Sequence, residues 1–86
     1  MYKFYSDSGH GWLAVPMDEI NKLGIANKIS RCSYLNEGVA YLEEDCDFAI
    51  FYDAFSKVHK APPQIEAFRS VNGNSHVRNY ARFPGA

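Results

Sequence analysis

The sequence predicts an α+β domain, an antiparallel sheet of short hairpins with two helices on one face, in the order ββα-ββα-ββ. Three observations carry this expectation. Short apolar and aromatic runs recur on either side of turn-rich clusters such as "SDSGHG", "NEG" and "NGN". Two other stretches, "VPMDEINKLG" and the residues from Asp45 to Val58, instead space their apolar residues by three and four. The chain has 86 residues, the size of a single domain that buries roughly 60% of its unfolded surface.

Tyr2 to Tyr5 and Gly11 to Val15 read as strands joined by "SDSGHG", whose Ser, Asp and glycines supply turn conformations and local hydrogen bonds. "VPMDEINKLG" reads as a short helix. Pro16 suits its first turn, Asp18 and Glu19 its positive end, and Met17, Ile20 and Leu23 its buried stripe, with Gly24 as the stop. Ile29 to Leu35 and Val39 to Glu43 form a second hairpin around Gly38, with Tyr34 and Tyr41 on one sheet. From Asp45, the residues Phe48, Phe51, Tyr52, Phe55 and Val58 define the main helix, which "APP" at residues 61–63 terminates. Ile65 to Val71 and His76 to Phe83 then read as a third hairpin across the Asn-Gly turn of "NGN".

Apolar residues are 47% of the chain and aromatics 15%, enough for an aromatic core and too many for a disordered segment. No apolar run approaches the length of a membrane span, and no signal peptide is visible, so a soluble protein of the cytoplasm is expected. Cys32 and Cys46 match neither a zinc ribbon nor a disulfide framework and are expected to be reduced and at least half-buried. The net charge is −1, but it is segregated. Met1 to Asn36 carries four basic and three acidic residues, Glu37 to His59 one and six, and Lys60 to Ala86 four and one. The acidic middle repels nucleic acid and the basic tail attracts it.

The acidic run Glu43, Glu44, Asp45 and Asp47 has three readings: a helix start, a patch facing a basic partner, or ligands for a hard cation. Helix capping accounts for it most simply. His10 lies near Asp7 and Ser8, yet three residues of one turn do not make a catalytic triad, and a local hydrogen bond is the simpler role. Trp12 is expected to pack in the core or against a partner. In the last strand His76, Arg78, Tyr80 and Arg82 alternate to one side, joined by Arg69; the set reads first as a solvated sheet face partly covered by the chain's own acidic segment, and otherwise suits an acidic protein or phosphates and bases. No phosphate loop, nucleophile pair or histidine-carboxylate cluster is visible, so neither an enzyme nor a cofactor or metal is expected.

Taken together and in order, "YSDSGHGWLAVP", "LGIANKIS", "YLEEDCD" and "SHVRNYARF" resemble a group of small proteins encoded by phages, prophages and plasmids. Ser8 stands where members usually carry Pro, and Phe83 where Tyr is common. The resemblance implies a mobile-element setting in a bacterial host cell. The resembled group supplies no activity of its own, but in that setting very small domains with segregated charge are often inhibitors of host defence, anti-CRISPR proteins among them, and by that analogy the chain is expected to cover a surface of a host defence complex. The expected partner is a host protein or ribonucleoprotein, met by Glu43, Glu44, Asp45, Asp47, His10, Trp12, Arg69, Arg78, Tyr80 and Arg82. The alternatives are a single-stranded nucleic-acid binder using the last hairpin and a structural module of a larger phage complex.

Overall fold

The computed structural model describes residues 1–85. β1 (Tyr2–Ser6) and β2 (Gly11–Pro16) pair as an antiparallel hairpin in which Lys3 faces Ala14 and Tyr5 faces Trp12. The chain then turns into helix α1 (Met17–Lys22), which starts directly after Pro16 and carries Asp18 and Glu19 in its first turn. Gly24, at φ +70, lets the chain leave it in the left-handed region. β3 (Tyr34–Asn36) and β4 (Val39–Glu43) form the second hairpin. Its turn residues Glu37 and Gly38 have φ 49 and 78, and two successive positive values match the twist of a tight hairpin. Helix α2 (Phe48–His59) follows and ends at Lys60, itself left-handed at φ 56. β5 (Ile65–Ser70) and β6 (Ala81–Arg82) complete a six-stranded sheet of order β5-β1-β2-β4-β3-β6.

Alternation along the strands sends two different apolar sets to the two faces. Leu13, Val15, Ala40 and Leu42 pack with Ile20 of α1, Phe51 of α2 and the loop residues Ile25 and Ile29. Full burial of each large side chain of this kind stabilises the fold by about 1.5–3 kcal/mol. Tyr2 extends the same layer, meeting Phe51 and Phe55 edge-on while its hydroxyl donates to Glu19 of α1. The opposite face is aromatic: Trp12, Tyr34 and Tyr41 pack around Val77, with Tyr5 and Tyr80 beside them. Both helices thus lie on one face, and the C-terminal segment covers much of the other.

The α+β class and the order of the first two units are as expected, and the third unit is not a hairpin. β5 runs parallel to β1, and the short β6 pairs with β3, so the sheet is mixed. Between them His76–Asn79 is a turn of 3-10 helix, with the Ser75 hydroxyl accepting from the Val77 N–H. The reason lies far away in sequence. The Asp7 carboxylate takes both the Ser75 N–H and the Arg78 guanidinium, and it can reach both only when that stretch is coiled. The regular alternation of His76, Arg78, Tyr80 and Arg82 along a strand therefore does not exist.

β3 is also shorter than its apolar pattern suggested, beginning at Tyr34 instead of Ile29. Asp47 explains this. Its buried carboxylate accepts from the Ser30 N–H and hydroxyl, at 3.1 and 2.8 Å, and from the Ser33 hydroxyl at 2.5 Å, which folds residues 30–33 into a turn. Cys32, at the apex of that turn, and Cys46 are both exposed, contrary to the burial expected of them.

Candidate functional site

The turn "SDSGHG" is organised by Asp7. Its Oδ1 accepts from the backbone N–H groups of Gly9 and His10 at 3.0 and 2.9 Å, the Asx arrangement that makes a short loop rigid. The same carboxylate holds Arg78 through two parallel bonds, from Nε at 2.6 Å and from a terminal nitrogen at 3.0 Å. The Asp7 side chain is wholly buried while that of Arg78 keeps 30% of its surface. The bond to Arg78, opposed by burial and assisted by three backbone N–H groups, holds the Asp7 carboxyl well below the usual carboxylate range.

Fixing the turn in this way sends the His10 ring toward the end of β4, where its Nδ1 lies 3.0 Å from the Glu43 carboxylate. Glu43 is almost entirely buried. Its other oxygen accepts from the N–H groups of Asp45 and Cys46, at 2.8 and 3.0 Å, and so caps the turn that leads into α2. Burial alone raises the Glu43 carboxyl, but the bonds from His10, Asp45 and Cys46 outweigh it and leave the group below its ordinary value. The Cys46 thiol is pushed up to about 12, first by its hydrogen bond to Cys32, then by burial and by Glu43.

These groups share the wall of one cleft of about 330 Å³, together with Trp12, Tyr34, Asp45 and Arg82. The Arg78 guanidinium lies over the Trp12 ring, 5.2 Å from its centroid, and Arg82 lies over Tyr34 at 4.7 Å. Arg82 also donates to the carbonyl of Arg31. The cleft therefore presents an imidazole, two carboxylates, two neighbouring thiols and two guanidinium groups, each stacked on an aromatic ring. A larger groove of about 740 Å³ is lined by Tyr2, Tyr5, Tyr41 and Phe55 with Lys3, Glu19 and His59, and its one carboxylate, Glu19, already accepts from the Tyr2 hydroxyl.

Six of the ten residues singled out in the sequence converge here: His10, Trp12, Glu43, Asp45, Arg78 and Arg82. The other four do not line the cleft. Glu44 is exposed beside Gly11, and Asp47 is buried under the Ser30–Ser33 turn, so Asp47 is a structural group and not a partner contact. Arg69 is exposed on the edge strand β5, and Tyr80 packs on Tyr41 with ring centroids 5.0 Å apart. The helix-start reading of the acidic run also needs revision, because no side chain caps α2 and only Glu43 caps the preceding turn. Asp7, Tyr34, Cys32 and Cys46 were not recognised as parts of a site. The Asp within a Gly-rich turn was a visible signal for Asp7 alone.

Comparison with protein-family models, curated proteins and solved structures finds no match to this chain. Among the described residues, no helix is long and apolar enough to cross a membrane.

Proposed function

We propose that the protein is a small mobile-element accessory protein of the bacterial cytoplasm that binds, and does not catalyse. It covers a basic surface on a host protein or ribonucleoprotein, in the manner of an inhibitor of a defence complex. The observation that carries this reading is the charge left available at the cleft. The Arg78 guanidinium is already engaged by Asp7 and that of Arg82 by a backbone carbonyl and a ring, whereas Asp45 and the neighbouring Glu44 are exposed. An acidic lip beside buried aromatics suits a cationic, phosphate-accustomed groove, with charge setting encounter and orientation and the cleft supplying shape. The same bookkeeping disfavours the nucleic-acid alternative, since two cations tied to their own chain leave few for phosphates.

The test is affinity capture from bacterial lysate with and without nuclease, using the native chain and a Glu44→Lys/Asp45→Lys variant. Both positions are exposed, and circular dichroism checks that the variant is folded. A host protein or ribonucleoprotein retained after nuclease and lost with the charge reversal is the expected result. Recovery of nucleic acid alone, undiminished by the reversal, contradicts the reading.

A further inference from the structure

The His10, Glu43 and Asp45 side chains bring three donor atoms, one nitrogen and two carboxylate oxygens, within 4.8 Å of one another. We infer that this triad is a binding site for a divalent transition metal ion of the zinc type, with three protein ligands and one position open to the cleft.

The geometry is close to what such an ion requires. Donors bound at about 2.0–2.2 Å in tetrahedral array stand about 3.3–3.6 Å apart. The Nδ1 of His10 and its Glu43 oxygen are 3.0 Å apart, so the ion takes the place of the hydrogen between them with a small separation of the pair. The third donor needs more movement and has the freedom for it, because Asp45 is exposed. Glu43 is already oriented as a ligand. Its far oxygen is held by two backbone N–H groups, the kind of supporting hydrogen bonding that fixes a metal-binding carboxylate.

Trp12 and Tyr34 line the same cleft as the triad. Of the two cations in the cleft, Arg78 is paired with Asp7, and Arg82 is held by the Arg31 carbonyl and the Tyr34 ring. An imidazole among the donors, with the thiols of Cys32 and Cys46 beside it, selects the zinc-like ions over calcium and magnesium, which take oxygen alone.

This site shares Asp45 with the acidic lip of the proposed function, but purified protein tests it without any partner. The full chain, kept reduced so that Cys32 and Cys46 do not oxidise, is titrated calorimetrically with Zn²⁺ and in parallel with Mg²⁺. The expected result is one saturable Zn²⁺ site per chain, no comparable Mg²⁺ binding, and a rise in thermal midpoint with Zn²⁺. His10→Ala and Asp45→Asn each weaken binding by at least about tenfold, while Cys46→Ser stays within a few-fold of the native chain. All three positions are exposed, and circular dichroism checks that each variant is folded. Absence of saturable Zn²⁺ binding overturns the site, as does native affinity in His10→Ala. Loss confined to Cys46→Ser also overturns it, since the ion would then be held by thiols.

Discussion

At the scale of single residues, Asp7 does most to shape this protein. It bends its own turn, aims His10 at Glu43, and holds the C-terminal segment through Ser75 and Arg78. Its carboxyl sits below its ordinary value near 3.8, so the folded state binds the Asp7 proton more weakly than the unfolded chain does. The stabilisation is therefore complete above about pH 4 and is lost as the pH falls below that. Thermal melts from pH 6 down to pH 2 should show a falling midpoint, and Asp7→Asn should melt lower at pH 6 with a flatter acid limb. Gly11 makes a different kind of demand. A Cβ there would lie 2.4 Å from the Phe4 ring, so Gly11→Ala forces the ring aside. Overpacking of this sort costs about 1–3 kcal/mol, to be read by denaturant unfolding. Neither effect follows from composition. The Asp within "SDSGHG" was legible as a turn residue, but its partner Arg78 stands 71 positions away.

At the scale of elements, the sequence was readable where structure is local and unreadable where it is not. The hairpins β1–β2 and β3–β4 and both helices follow from turn residues and periodicity, which involve neighbours in the chain. The third hairpin failed because its signal was equally local and was overruled. "NGN" does turn the chain, with Gly73 at φ +85, yet β5 pairs in parallel with β1 and β6 closes on β3. In place of that hairpin, an ion pair and a capping serine coil the intervening stretch. The site suffered the same limit: a histidine-carboxylate cluster was not visible because His10 and Glu43 are 33 positions apart. Two tyrosines report on how the elements are held together. Burial raises Tyr2 to about 12, helped by its bond to Glu19 of α1. Burial likewise raises Tyr41 to about 12, helped by Tyr80 of the C-terminal segment. Each is neutral when protonated and binds its proton more tightly when folded, so the stability it contributes is full below pH 10 and is lost as the pH approaches 12. Phenolate absorbance should show these two hydroxyls ionising together with alkaline unfolding, and Tyr41→Phe should remove part of that late step.

At the scale of the whole molecule, the sheet divides labour between its faces. One is closed by α1 and α2 over an aliphatic and phenylalanine core, and the other carries aromatics, stacked arginines and the cleft. The net charge of −1 conceals this arrangement, because the basic tail folds back onto Asp7, Trp12 and Tyr34 while Glu44 and Asp45 stay exposed. Engagement of Arg78 and Arg82 within the chain leaves the acidic lip as the free charge at the cleft, the surface proposed to meet a partner. Raising salt should slow capture of that partner, since charge at an interface rim acts mainly on the rate of association. The most direct measurement compares two charge reversals of equal size in the nuclease-treated capture, Glu44→Lys/Asp45→Lys at the cleft and Asp18→Lys/Glu66→Lys at exposed positions outside it. If the cleft lip is the recognition surface, the first variant loses the host partner and the second retains it. Equal loss in both would show that overall charge, and not this cleft, governs recognition.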